Sequence, residues 1–190
     1  IYIRSELRKP EQRTVQLNGK LTINCTTANQ KYNQVVGLEG IFVNSTSSNP
    51  SLSISGSANH LTYIKDCYIA SDNTNSNANP IKIFNTATTA STKVVLANSI
   101  FLSQKAGPDI FNAGGGDIKI DSCEFYYSSV TGSGSAINQT GNSLIVADRI
   151  LVDIPTNGNA FINGSTNYGS VPTAYITNSS LSTSGASVPN

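Results

Sequence analysis

The chain has no methionine, a single histidine (His60) and few charges: 12% of its 190 residues, with a net charge of +1. So little charge argues against nucleic acid or an anionic membrane surface as an electrostatic partner. No apolar run approaches the roughly 20 residues that cross a bilayer as a helix. Signal-peptide architecture is absent too. With no initiating methionine, and opening directly on the strand-like IYIRSE, the sequence reads as a processed or excised piece of something longer. Its three cysteines (Cys25, Cys67 and Cys123) form no C-x-x-C pair, and one histidine cannot complete a Cys/His metal site.

What fills the sequence instead is small and polar: 22 Asn, 26 Ser and 18 Thr. Such a composition would mean disorder if apolar periodicity were missing, and it is not missing. Two short phrases recur out of phase with one another. The first puts a bulky apolar residue before Asn, at Phe84-Asn85, Phe111-Asn112, Ile137-Asn138 and Ile162-Asn163, and extends back to Ile54-Ser55 and Ile23-Asn24. The second reads VGLEGIFV, YIKDCYIA, VLANSIFL, KIDSCEFY, IVADRILV and YITNSSLS. Aligning its copies puts Gly40, Cys67, Ser99, Cys123, Arg149 and Ser179 in one column, with Arg149 the odd member among small residues. Two residues on stand Phe42, Ile69, Phe101, Phe125, Leu151 and Leu181; three residues before the column, after Gly37 in the first copy, stand Ile64, Leu96, Ile120, Val146 and Ile176.

Alternating runs of this length, bounded by Gly, Asn and Ser, are strands. One such unit cannot bury its own apolar face, but stacked copies bury a continuous core. The two apolar columns are therefore the expected core. Between the halves of the second phrase stand Glu39, Asp66, Asn98, Ser122, Asp148 and Asn178, expected to turn the corner in the left-handed conformation that Asn and Asp tolerate. Asn85, Asn112, Asn138 and Asn163 are expected to stack at the spacing of neighbouring strands, about 4.8 Å, as a structural ladder. Cys67 and Cys123 lie two rungs apart, about 9.6 Å and beyond disulfide reach, so both are expected as buried free thiols. Sequons at Asn24, Asn44, Asn138, Asn163 and Asn178 carry little weight in a chain so rich in these residues.

The repeated I-x-[Asn/Asp]-[Ser/Cys]-x-[Phe/Ile] pattern resembles the right-handed parallel β-helix of the pectate-lyase-like superfamily, over roughly residues 15–185. The resemblance implies an all-β, single-stranded, right-handed parallel β-helix of about six coils across residues 16–190. Residues 1–15, which concentrate charge, would be an N-terminal cap or a linker to a preceding segment. Many proteins of this fold cut acidic polysaccharides, yet the Asn-x-Asp, Asp-Asp, Gly-His-Gly and Arg-x-Lys motifs of the polygalacturonase-like members are missing. The nearest lyase-like groupings are Asp148-Arg149 and Asp117/Asp121/Glu124 beside Lys119; a glycosidase-like pair could be Glu39 and Asp66. Corner and solvated-face roles explain them better, so no catalytic, cofactor-binding or metal-binding residue is assigned.

Strand alternation leaves three columns pointing outward. They are Ile41, Tyr68, Ile100, Glu124, Ile150 and Ser180; Val43, Ala70, Leu102, Tyr126, Val152 and Ser182; and Val36, Tyr63, Val95, Lys119, Ile145 and Tyr175. So much outward apolar surface exceeds what a monomer ordinarily shows. Ile41, Tyr68, Ile100, Ile150, Val43, Leu102, Tyr126 and Val152 are therefore the expected interface. Similar β-helix modules form trimeric phage tail spikes, virion spikes, capsid-associated proteins and bacterial adhesins. The resemblance thus implies a structural, host-attaching component of a virion or extracellular surface, an oligomer with other protein subunits as partners (a homotrimer or neighbouring virion proteins) and a cell-surface glycan as a further one. The alternatives it leaves are a polysaccharide lyase or glycoside hydrolase, or a bacterial adhesin. No cofactor is expected.

Overall fold

The structure, a computed structural model, describes residues 2–4, 15–19, 21–25, 34–45, 51–56, 60–71, 81–85, 92–103, 111–113, 117–127, 137–139, 144–154, 162–164 and 173–183. Within them lie twenty strands, numbered β1 to β20 in chain order, and no helix. They form three parallel sheets. Sheet A holds β1 (Tyr2–Arg4), β4 (Gln34–Glu39), β7 (His60–Lys65), β10 (Thr92–Ala97), β13 (Asp117–Asp121), β16 (Leu144–Asp148) and β19 (Thr173–Thr177), neighbours in that order. Sheet B holds β2 (Val15–Asn18), β5 (Ile41–Ser45), β8 (Tyr68–Ser71), β11 (Ile100–Ser103), β14 (Glu124–Tyr127), β17 (Leu151–Ile154) and β20 (Ser180–Thr183). Sheet C holds β3 (Leu21–Cys25), β6 (Leu52–Gly56), β9 (Ile81–Asn85), β12 (Phe111–Ala113), β15 (Ile137–Gln139) and β18 (Ile162–Gly164). Neighbouring strands of each sheet are thus three places apart in the chain, as a chain passing through three sheets in turn requires. This topology is compatible with a β-helix. Of the residues expected to lie outside the repeats, Tyr2–Arg4 form the first strand of sheet A, paired with β4.

The core is one cluster fed by all three sheets. Leu38, Ile64, Leu96, Ile120 and Ala147 come from sheet A; Val43, Ile69, Phe101, Phe125 and Val152 from sheet B; Ile23, Leu52 and Ile54 from sheet C. Phe101 and Phe125, on neighbouring rungs, pack with ring centroids 5.1 Å apart. The expected core residues Ile64, Leu96, Ile120, Ile69, Phe101 and Phe125 are buried. Ile176 points along the same column but is 46% exposed, on the last strand of its sheet. The side chain of Leu181 lies outside the described residues.

Two copies of the second phrase sit one residue away from the sequence alignment. Phe42 pairs with Tyr68, and Glu124 with Leu151, so Ile41 rather than Gly40, and Ile150 rather than Arg149, share a column with Cys67 and Cys123. A one-residue slip turns each side chain to the opposite face of a strand. Expected outward, Ile41, Val43, Ile150 and Val152 are instead in the core at 1–4% exposure, and Val36 and Ile145 join them. Conversely Phe42, Leu151 and Val146, expected inside, lie on outer faces. Tyr68, Ile100, Leu102 and Tyr126 do face outward, half-buried.

The asparagine ladder is partly in register. Asn112, Asn138 and Asn163 pair across β12, β15 and β18. Asn85 does not continue it, because Lys82 stands opposite Asn112 and Asn85 opposite Gly56. The side chains of these four asparagines, and of Cys25, lie outside the described residues.

Candidate functional site

The corner between sheets A and B is turned by a single residue in the left-handed conformation. Gly40, Asp66, Asn98, Ser122, Arg149 and Asn178 all adopt positive φ there, between 45° and 67°. Asp66, Asn98, Ser122 and Asn178 were expected at this bend. Gly40 and Arg149 replace Glu39 and Asp148, which lie one residue earlier at the ends of their strands. Glycine takes this conformation without strain; arginine does so at a cost in backbone energy.

Backbone pairing runs unbroken around the corner. Asp66, Asn98 and Ser122 each donate N–H to the next rung's carbonyl, of Ala97 (3.1 Å), Asp121 (2.9 Å) and Asp148 (3.0 Å). The inward residue that follows the bend explains the recurring Ser/Cys. Ser99 Oγ donates to the Ala97 carbonyl (2.7 Å), Cys67 Sγ to Lys65 (3.1 Å), Cys123 Sγ to Asp121 (3.3 Å) and Ser179 Oγ to Thr177 (2.6 Å). Each adds a second hydrogen bond to a carbonyl, two residues back, that already accepts a backbone N–H from the preceding rung. Ser99 and Ser179 also accept the N–H of Cys67 and Ile150 on the preceding rung. Cys67 and Cys123 are buried and form no disulfide. Burial pushes the Cys123 thiol up to about 12, so it is a structural donor rather than a nucleophile.

Outside the bend, three of the charged groups singled out in the sequence come together: Asp121, Asp148 and Arg149. Arg149 bonds the Asp121 carboxylate, the Asp148 carboxylate (2.8 Å) and Ser122 Oγ (3.1 Å). Asp148 also accepts from Thr177 Oγ1 (2.7 Å) and Asn178 Nδ2 (2.9 Å). Those two hydrogen bonds, with the Arg149 guanidinium, hold its carboxyl below the usual carboxylate range against a smaller opposing effect of desolvation. A carboxyl held ionised in this way cannot serve as a general acid. Glu124 stands apart, accepting the Tyr126 hydroxyl at 2.7 Å. Asp117 accepts the Leu144 N–H at 3.4 Å, and Lys119 is exposed. Glu39 pairs with Arg4 (3.6 Å) and accepts the Tyr2 hydroxyl, while Asp66 pairs with Lys65 (3.8 Å) and accepts from Asn98. No group of three or more His, Cys, Asp or Glu among the described residues is arranged to hold a metal. An open groove of about 470 Å³ runs beside this ridge, lined by Asn98, Ser122, Glu124, Arg149, Leu151 and Asn178 among others.

The outer faces of sheets A and B differ. On sheet B, Phe42 and Tyr68 stack with rings nearly parallel, 4.9 Å apart, and continue into Ile100, all half-buried. Sheet A is more open: Tyr2, Val35, Leu61, Leu144, Val146 and Tyr175 are 37–61% exposed. Tyr2 lies across Gly37 and leaves no room there for a Cβ. The exposure of Val146 and Leu144 escaped the sequence reading because the one-residue slip at Arg149 turned that strand over.

Set against known proteins, the chain matches no family, no curated protein and no solved structure.

Proposed function

We propose that this chain is a structural subunit of a multimeric assembly, built as a single right-handed parallel β-helix of about six coils across residues 16–190, with residues 1–15 at its capped or linked end. The best-fitting setting is a virion or extracellular surface, as a spike, fibre or capsid-associated component that contributes to host attachment. Its partners are other protein subunits. The observation that carries this reading is the apolar outside of the coil: Phe42, Tyr68, Ile100 and Leu102 on sheet B, and the 37–61% exposed residues of sheet A. Outward apolar surface of this kind marks a site of association. Tyr68, Ile100, Leu102 and Tyr126 form the proposed contact on sheet B.

Ile100→Asp tests this contact. A carboxylate at a dry interface without a partner costs several kcal/mol, whereas at a solvated position the change costs within about 0.5 kcal/mol. Assembly, followed by sedimentation or particle incorporation, should fail while circular dichroism stays unchanged. Normal assembly of the variant would remove the sheet B contact. The groove beside Arg149 favours a second reading, a polysaccharide lyase or hydrolase. Incubation with acidic and neutral polysaccharides, assayed for reducing ends and unsaturated products, decides between them.

A further inference from the structure

Three rows of side chains run across the outer face of sheet A. The row nearest the corner is neutralised internally: Arg4 pairs with Glu39, Lys65 with Asp66, and Arg149 with Asp121 and Asp148. In the row farthest from the corner, Val35, Leu61, Lys93, Asp117 and Leu144 stand side by side on successive strands. Between the two run Tyr63, Val95 and Lys119, with Val146 and Tyr175 beyond them. Lys93 and Lys119 have no ion-pair partner among the described residues. Apolar groups therefore flank a charged centre on both sides. Sheet A has seven strands, with β10 fourth and β13 fifth.

This pattern is self-complementary under one operation. A two-fold axis parallel to the strands, lying between two facing sheets and midway between β10 and β13, keeps each row on itself and reverses the strand order. The fourth strand then faces the fifth of the other copy, and the third faces the sixth. Lys93 meets Asp117 of the second copy, and Asp117 meets its Lys93, as a closed two-fold contact demands. Leu61 meets Leu144, and Tyr63 meets Val146. Lys65 faces Asp148. Lys119 meets Val95 and gains no opposite charge there.

We propose that the outer face of sheet A binds a second copy of this chain, face to face and with the two coils running in opposite directions, through reciprocal Lys93–Asp117 pairs between apolar flanks. This deepens the assembly reading by naming one partner and its face, and it uses a different sheet from the Ile100 contact. The overlap takes in six of the seven strands, β4 to β19, and spans about 24 Å across the strands and about 16 Å along them. Two such faces cover roughly 770 Å², below the usual size of specific interfaces, so the pairing is weak and concentration-dependent.

The test uses Lys93→Asp and Asp117→Lys, read by sedimentation velocity over a concentration series with folding checked by circular dichroism. Either variant alone places like charges opposite each other and should weaken self-association by roughly tenfold or more. Mixed together, they restore both opposite-charge contacts across the axis. The introduced aspartate of one chain then faces the introduced lysine of the other, and the unchanged Asp117 of the first faces the unchanged Lys93 of the second, although neither chain regains its own neighbouring pair. Association of the mixture, absent from each variant alone, is the expected result. Wild-type chain that stays monomeric at the highest concentration, single variants that associate like wild type, or a mixture no better than its components would each overturn the proposal. Because mixing the two charge variants rescues only the Lys93–Asp117 contact, loss of the Ile100 contact and loss of this one are distinguishable.

Discussion

Phe101→Ala is the sharpest probe of the stacked core. Phe101 is fully buried, with Ile69 beside it on one side and Phe125 on the other, its ring tilted 30° to that of Phe125. Truncating a buried Phe costs about 3–5 kcal/mol, and the value rises when the surroundings cannot close on the cavity. Here they are held on both sides: Ile100 N–H donates to the Cys67 carbonyl (2.9 Å) and Glu124 N–H to Ser99 (3.0 Å), fixing the rung spacing. The cost should therefore fall in the upper half of that range. Phe125→Ala should cost a similar amount, and the double variant less than the sum of the two by about 0.5–1.5 kcal/mol, because the ring contact is lost once. Denaturant midpoints at constant slope supply these values. Near-neutral results at both positions would refute the placement of these rings in one interior column.

The corrected register makes adjacent residues behave oppositely: Ile150→Asp should unfold or severely destabilise the chain, while Leu151→Asp should leave a folded circular dichroism spectrum. Equal tolerance at the two positions would restore the alignment through Arg149. Cys123 should resist alkylation in the folded chain at neutral pH, since its thiol stays protonated; labelling as fast as in denatured chain would contradict its burial. Its folded pKa of about 12 lies above the ordinary 9.0, so its contribution to stability is present below pH 9 and lost as pH rises from there to about 12. At the corner, Asn98 has φ 45°. Asn98→Ile should cost about 1–2 kcal/mol and Asn98→Gly little; indistinguishable melting temperatures would argue against a strained bend.

Strand identity, parallel stacking and most of the core were legible because apolar alternation and a recurring bend are written into every copy. The bend itself was read through Asn and Asp, which succeeded at Asp66, Asn98 and Asn178. It failed where Gly40 and Arg149 take the left-handed conformation beside more conventional turn formers, Glu39 and Asp148. One residue of error there exchanged Ile41 for Phe42 and Ile150 for Leu151 between core and outer face. The Arg149 cluster was legible only as neighbouring letters. Its partners Asp121, Ser122, Thr177 and Asn178 come from adjacent rungs, and only pairing register brings them together. In the same way, the Ser/Cys column was recognisable as small, but its hydrogen bond to the carbonyl two residues back depends on the geometry of the bend.

The most direct measurement is the mass of the particle that contains this chain in its native source, by native mass spectrometry with cross-linking of intact material. More than one polypeptide per particle is expected, with cross-links placing the β8 and β11 faces against another subunit. A single free chain, with Tyr68 and Ile100 open to solvent, would contradict an assembly role.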